Sequence, residues 1–328
     1  MDPEILRCRS RGRARHICRS VLVAFALAAL ASGCRAWPWQ PRLPAEPSPL
    51  AFAGPPTLDE VVQAVNANSS AVRQLQSESA TVSVPGLPSL RANLLLERPR
   101  NFRLRAQIYG PELDVGSNEE LFWFWAKHDP QPGVYFARHD QFSQSRIRQQ
   151  LPIDPAWVIE SLGIVTLDPA SHLEGPRPLN LDRIEIRNRL PTPDGEVLKV
   201  YVIHARYGWV LEQHYYASDG RLIASAKGSN FKYYPADRVS LPQQVQLVVP
   251  QAQLNLTIQV SGYRLNSING DPQQLWSLPQ YAGYQTVDLG ADRPPPATPA
   301  WVPPTLPYER SAGPPLRTSM RGFAYPTR

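Results

Sequence analysis

Apolar and polar residues alternate along several stretches in the middle of this 328-residue chain. Phe102, Leu104, Ala106 and Ile108 alternate with arginine and glutamine, and the same period of two recurs at 184–187 and 253–260. This period places apolar side chains on one face of a strand and polar ones on the other. Further candidate strands are 79–84, 90–97, 112–116, 120–127, 133–138, 197–204, 209–217, 221–232 and 241–249. Together they predict a mainly β, antiparallel sheet of about a dozen strands with one face in water.

Two segments have helical periodicity instead. Thr57 and Glu60 form a capping box, and apolar residues at helical spacing continue to Leu75, which predicts a helix of about 18 residues. A second, short helix is predicted between Asp154 as N-cap and Gly163 as stop signal. At about 4.8 Å per strand the sheet would be about 55 Å wide, so these helices cover only part of it. The space beneath them is either an apolar cavity or a core packed by side chains, and both possibilities stay open.

The first 33 residues are typical of an export signal. Six arginines precede the apolar run from Val21 to Ala31, which is too short to span a bilayer. Leu-Ala-Ser-Gly-Cys at 30–34 resembles the bacterial lipobox, so Cys34 is the predicted lipid attachment site. Since Cys8 and Cys18 lie within the signal, the mature chain would have Cys34 as its lone thiol. The alternative is an ordinary signal peptide followed by a chance cysteine.

Proline divides the rest of the chain. Of its 36 prolines, many lie before residue 57 and after residue 290. The predicted organisation is therefore a signal peptide at 1–33, a lipidated cysteine and proline-rich tether at 34–56, a folded domain at 57–289 and a proline-rich tail at 290–328. The tail is expected to lack regular structure or to bind a protein partner.

The charge distribution and the motifs exclude several functions. The formal net charge is +6, but six arginines, Asp2 and Glu4 place most of it in the signal, so no nucleic-acid partner is expected. The chain has no G-x-S-x-G, H-E-x-x-H or P-loop motif. His139 and Asp140 are consecutive and point to opposite sides of a strand end, so they form no dyad by themselves. We expect a binding protein with no cofactor or metal, not an enzyme.

The run LLLERPRNFRL at 94–104 follows the capped helix and precedes ELFWFW at 120–125. This ordered set resembles the LolA/LolB-like lipoprotein-carrier family, over about residues 57–125. The resemblance implies an unclosed antiparallel half-barrel of about eleven strands, covered by a few helices. In that family the interior holds the acyl chains of lipoproteins that move between membranes.

The resemblance also implies roles for individual residues. Arg98 would hold the helical lid through hydrogen bonds to backbone carbonyls, and Phe102 would lie near the cavity mouth. Leu87, in the turn between two strands, would be a membrane-contact residue. Phe122 and Phe124 lie opposite Trp123 and Trp125, so one pair is expected inside and the other against a lid, a neighbour or a sugar. The predicted ligand-binding set is Arg98, Phe102, Leu104, Ala106, Ile108, Phe122 and Phe124.

The sequence thus predicts a lipoprotein anchored to the outer membrane and facing the periplasm. By resemblance to enterobacterial lipoproteins, an aspartate after the lipobox cysteine would retain the protein in the inner membrane, and Arg35 stands there instead. Its predicted partners are the membrane, through the N-terminal lipid anchor, and the acyl chains of lipids or lipoproteins. The alternative is a structural or interaction lipoprotein of the envelope with a packed core, which binds a glycan or a protein.

Overall fold

A computed structural model describes residues 46–142, 156–192 and 195–290, and these described residues belong to one compact unit. The predicted signal peptide, Cys34, the tether up to residue 45 and the tail from residue 291 lie outside the described residues. Among the described helices, none has the length and apolar character needed to cross a membrane.

The described helices are α1 (Leu58–Ser70), α2 (His139–Phe142), α3 (Trp157–Ser161) and α4 (Pro272–Leu275). The strands are β1 (Gln74–Ser83), β2 (Leu90–Glu97), β3 (Asn101–Gln107), β4 (Pro111–Ser117), β5 (Leu121–Ala126), β6 (Gly133–Arg138), β7 (Leu173–Asn180), β8 (Arg183–Thr192), β9 (Gly195–His204), β10 (Val210–Tyr216), β11 (Leu222–Tyr234), β12 (Val239–Val249), β13 (Leu254–Val260), β14 (Arg264–Leu265) and β15 (Gln285–Asp288).

All described strands belong to one sheet with the order β15-β6-β5-β4-β3-β2-β1-β13-β12-β11-β10-β9-β8-β7, and β14 pairs with β1. Neighbouring strands are antiparallel, except that β15 runs parallel to β6. The two ends of this order do not pair, so the sheet is unclosed. The predicted mainly β, unclosed antiparallel fold with few helices is confirmed. The sheet has fifteen strands, against about a dozen predicted from the pattern and about eleven implied by the family resemblance, and β7, β14 and β15 are the strands that the pattern did not predict.

Helix α1 begins where the sequence predicts. Thr57 is the N-cap: its hydroxyl accepts from the Glu60 amide at 3.3 Å, and Glu60 Oε2 accepts from the Thr57 amide at 2.7 Å. The predicted helix was too long, because α1 ends at Ser70. Val72 and Leu75 are fully buried, but Val72 lies after the helix and Leu75 in β1. Their apolar spacing therefore reflects burial in the core, not continuation of the helix.

We call the sheet face that carries the apolar core the inner face. Its main cluster joins β1–β3 with β11–β13 and includes Trp157 and Leu162 at α3. A second cluster lies between α1 and strands β8–β10, where Val61 and Val65 pack with Val165 and Leu167. Phe52 also belongs to the second cluster, so the segment before α1 lies against the sheet there.

The opposite, outer face is crossed by residues 266–289, which we call the strap. Arg103 Nη1 donates to the Leu275 carbonyl at 2.9 Å, and Trp276 Nε1 donates to Glu97 Oε2 at 3.2 Å. The Tyr281 ring stacks on Trp125 with centroids 3.8 Å apart. The strap ends as β15 on the edge of β6. The tryptophan pair of β5 is therefore covered by the chain itself and is not available to a sugar.

A buried ion pair lies beneath the strap. Asp114 is fully buried, and its two oxygens accept from Arg103 Nε at 3.1 Å and Nη2 at 2.8 Å. Trp123 Nε1 donates to Oδ1 at 3.2 Å, and the Tyr281 hydroxyl donates to Oδ2 at 2.9 Å. Burial and the neighbouring Asp114 carboxylate raise the pKa of Tyr281 to about 12. The aspartate thus joins β3, β4 and β5 to the strap.

Candidate functional site

A row of partly exposed apolar side chains crosses the inner face. Its members belong to four strands, and strand register places them on the face that carries the core: Leu90, Leu113, Val115, Phe124, Leu254 and Leu256. We call this row the inner-face stripe. It runs mainly along the sheet end that holds the β1–β2, β3–β4 and β12–β13 turns.

Three predicted lining residues lie on the same face but deeper. Phe102, Leu104 and Ala106 are 3%, 4% and 1% exposed and belong to the main cluster. The expectation that Ile108 faces inward with them is wrong. Ile108 follows the end of β3, in the turn to β4, and is 51% exposed. The alternation ends there because the pairing of β3 with β4 shifts between Ala106 and Gln107.

Phe122 and Phe124 are on the inner face, since register aligns them with Ser117 and Val115 of β4. Phe122 is buried and meets Phe142 of α2 edge-to-face at 5.3 Å between ring centroids. Phe124 is partly exposed and stacks on Tyr135 at 4.9 Å. These two phenylalanines extend the apolar inner face toward the β6 edge.

Arg98 lies between α1 and the segment after α3. Its Nη1 donates to the Ser69 carbonyl at 2.9 Å, and its Nη2 donates to the Thr166 hydroxyl at 3.2 Å. A guanidinium offers five donors in a fixed plane, which suits such a two-sided contact. Arg98 therefore joins the carboxyl end of α1 to the chain that covers the sheet.

Leu87 lies in the β1–β2 turn, where its amide donates to the Val84 carbonyl at 3.1 Å. It is partly exposed. The β3–β4 turn at the same end of the sheet carries Ile108 and Tyr109, and the Tyr109 side chain is fully exposed. Two exposed side chains thus lie beside the stripe, while Leu179 and Leu181 are exposed near the β7–β8 turn.

The described residues also form two recesses away from the stripe. One, of about 440 Å³, is open to solvent and lies between residues 51–56 and the Glu60, Gln63, Ala64 and Ala67 side of α1. The other is a void of about 10 Å³ between α1 and strands β10–β12. Such a void is close to the minimum for one water molecule. Phe102 is buried within the main cluster, so a chain-sized ligand there requires the covering segments to move.

Sequence reasoning missed a polar group on the inner face. Lys199 of β9 is buried, and its Nζ lies 2.5 Å from Glu160 Oε2 of α3. Its ammonium also lies 4.9 Å from the Tyr201 ring centroid and 4.8 Å from that of Tyr215. The local signal was a single lysine in the apolar run VLKVYVIH, but its acidic partner is 39 residues earlier.

The histidine at the β6 end has no catalytic geometry. His139 Nε2 lies 2.9 Å from the Asn118 carbonyl and 3.2 Å from the Ser117 hydroxyl. A carbonyl only accepts, so Nε2 carries the proton and cannot also act as base toward Ser117. Asp140 pairs with Arg138 instead, at 3.4 Å. Within the described residues, no cluster of three or more His, Cys, Asp or Glu side chains could hold a metal ion.

No protein-family model and no curated protein matches the chain. The structure is similar to one named as an outer membrane lipoprotein-sorting protein domain from Vibrio parahaemolyticus, at 8% identity and a TM-score of 0.43, covering 66% of this chain and 97% of that one. It is also similar to a LolA superfamily protein from Nitrosomonas europaea, at 13% identity and a TM-score of 0.39, covering 66% and 97%.

A third similar structure is a DUF1329 family protein from Desulfovibrio piger, at 11% identity and a TM-score of 0.40, covering 66% of this chain and 96% of that one. The names of the first two agree with the family that the sequence motifs resemble. At identities and TM-scores this low, the similarity concerns the general fold and carries no statement about function.

Proposed function

We propose that this protein is a lipoprotein anchored to the outer membrane that faces the periplasm and binds acyl chains of lipids or lipoproteins. The observation that carries the proposal is the inner-face stripe. Its six apolar side chains are on one face of four strands and only partly covered. Apolar side chains that gather on one face and remain partly accessible to water are typical of a binding site. An acyl chain would remove that surface from water without needing a hydrogen bond.

The proposed route of binding uses the end of the sheet that holds the β1–β2, β3–β4 and β12–β13 turns, which we call the open end. Leu87 and Ile108 flank the stripe in neighbouring turns and would contact a membrane surface or an incoming chain. A longer chain would extend toward Phe102, Leu104 and Ala106 when the covering segments move. Arg98 would oppose that movement, because its hydrogen bonds to Ser69 and Thr166 would have to break.

The anchor belongs to the same proposal. Acylation of Cys34 would hold the domain at the outer membrane, since each buried methylene contributes about 0.8 kcal/mol to lipid anchoring. The protein would then act by binding and releasing acyl chains, not by catalysis, and the chain beyond residue 290 would be free to contact a protein partner.

The test is titration of the purified chain from residue 35 with a fluorescent apolar probe, followed by displacement with an acylated peptide. Leu256→Glu places a carboxylate in the stripe, so we expect at least a tenfold loss of affinity, because an unpaired charge in an apolar site costs about 2 kcal/mol or more. Asn255→Glu is the matched control on the same strand, since Asn255 is exposed on the outer face. Its affinity should equal that of the wild type.

Native mass spectrometry of the wild-type protein provides a second readout, because co-purified lipid would be retained. If the wild type binds neither probe nor acylated peptide and carries no lipid, the inner face is a packed core. The protein is then the structural or interaction lipoprotein of the alternative.

A further inference from the structure

The inner face carries a polar cluster between its second apolar cluster and the open end of the sheet. Lys199 pairs in register with Asn188 of β8 and with Tyr215 of β10, so the three side chains lie next to each other on this face. The next register row toward the open end is apolar and partly exposed, with Leu190 opposite Val197. An acyl chain on that row would end at Lys199.

The pair formed by Lys199 and Glu160 is unequal in exposure. The lysine side chain is 5% exposed, whereas the glutamate side chain is 30% exposed. A buried ammonium needs a counter-charge, because burial of an unpaired charge is costly. Glu160 supplies it from a five-residue helix and receives a second hydrogen bond from the Tyr215 hydroxyl at 3.3 Å. The cation is therefore fixed in the sheet, while its anion is on a short covering element.

Buried polar atoms without partners surround this pair. Six buried side-chain polar atoms of the described residues lack a hydrogen-bond partner, and three of them belong to neighbours of this pair: Trp157 Nε1, Asn188 Oδ1 and Gln213 Oε1. Their residues are 3%, 6% and 3% exposed. Buried polar atoms are nearly always paired in native proteins, so unpaired ones need an explanation. The indole donor would suit an anionic oxygen next to Lys199, and the two amide oxygens would suit hydroxyl donors.

We propose that Lys199 binds the anionic head group, a carboxylate or a phosphate, of an acyl ligand, and that Glu160 holds this position in the free protein. This inference rests on the proposed acyl-binding function. The ligand anion replaces the Glu160 carboxylate at the ammonium, and its oxygens receive the Trp157 indole N–H. The acyl chain would then run over Leu190 and Val197 to the open end, where its far end would meet the stripe.

The test compares three ligands with equal sixteen-carbon chains, namely palmitate, palmitoyl lysophosphatidate and hexadecanol, by displacement of a fluorescent apolar probe from the chain that begins at residue 35. Lys199→Met should lower the affinity for the two anionic ligands, or for the one that carries the natural head group, by about tenfold or more. The affinity for hexadecanol should not change. Lys227→Met is the control, because Lys227 is an exposed lysine with a Glu212 partner. Its affinities should equal those of the wild type.

Glu160→Gln keeps the lysine and removes its internal anion. We expect this variant to bind the anionic ligands several-fold more tightly while hexadecanol is unaffected. It also keeps the inference testable if Lys199→Met does not fold by circular dichroism. A larger effect on palmitate or on lysophosphatidate identifies the head group as carboxylate or phosphate.

Two outcomes overturn the inference in different ways. If all variants discriminate anions from hexadecanol as the wild type does, the head-group site is wrong, although acyl binding stands. If the wild type binds none of the three ligands, the proposed function fails and the head-group site fails with it.

Discussion

The Tyr281 hydroxyl donates a hydrogen bond to Asp114 Oδ2 at 2.9 Å across a sequence separation of 167 residues. This bond ties the strap to the aspartate that already pairs with Arg103 in the sheet. The strap covers the outer face of β2–β6, so the proposed ligand route uses the inner face of these strands instead. The contacts of Asp114 with Arg103 and Tyr281 thus stabilise the sheet on the side away from the proposed inner-face site.

Asp114→Asn should destabilise the protein by about 3–5 kcal/mol, because it leaves the buried Arg103 guanidinium without its counter-charge. Chemical denaturation followed by circular dichroism measures the loss. Glu196→Gln is the control, since it removes a carboxylate from an exposed pair with Arg189. The control should cost less than about 1 kcal/mol. Equal stabilities for wild type and Asp114→Asn would contradict the role given to the ion pair.

Gly116→Ala tests the close approach of Trp123 to the β4 backbone. A Cβ at Gly116 would lie 2.2 Å from a carbon of the Trp123 ring, so the indole must shift away from Asp114. We expect a loss of about 1–3 kcal/mol in unfolding free energy, as for other overpacked sites. Gly110→Ala is the matched control, because no atom lies within 4 Å of its added Cβ. Similar losses in both variants would show that the tryptophan does not cause the effect.

Arg98→Leu should loosen α1 without changing the apolar character of the inner face. Each hydrogen bond made by a charged donor contributes about 1.5–3 kcal/mol, and the variant loses the bonds to Ser69 and Thr166. Hydrogen exchange in α1 should then be faster than in the wild type, whereas exchange in β11 and β12 should change less. Arg98→Lys should restore part of the protection, because an ammonium can reach one acceptor. Unchanged exchange in α1 would contradict the holding role of Arg98.

Much of the sheet could be predicted from local pattern. Alternation of apolar and polar residues located β3, β8 and β13, the other candidate segments match most of the remaining strands, and the Thr57 capping box located the start of α1. The pattern failed where its physical basis was missing. Strand β7 contains two prolines and lies at the edge with mostly exposed side chains, so it shows no alternation. Strand β15 is fully exposed and is held by pairing with β6.

The candidate site was less predictable because its contacts join distant residues. The motif around Arg98 pointed to contacts with backbone carbonyls, and one is observed at Ser69. The strap covers Trp123 and Trp125, but it lies more than 140 residues later in the sequence, so the pattern within β5 could not show which aromatic pair is covered. The inward direction of Lys199 depended on Glu160, which no local pattern associates with it.

Cys34→Ser tests the anchor, which rests on the lipobox pattern alone. Metabolic labelling with a palmitate analogue should mark the wild type and not the variant, and the variant should leave the membrane fraction. Cys18→Ser is the control, because this cysteine would be removed with the signal peptide. Equal labelling of the wild type and of Cys34→Ser would contradict the proposal that the protein is a lipoprotein.

Photo-crosslinking with a palmitate analogue that carries a diazirine near the end of its chain tests the acyl-binding proposal most directly. After irradiation of the purified wild-type protein and proteolysis, mass spectrometry locates the modified residues. We predict modification of peptides that contain Leu113, Val115, Leu254 or Leu256, and competition by unlabelled palmitate. Crosslinks confined to the outer-face strap, or no crosslinks that palmitate competes away, would contradict acyl binding at the inner face.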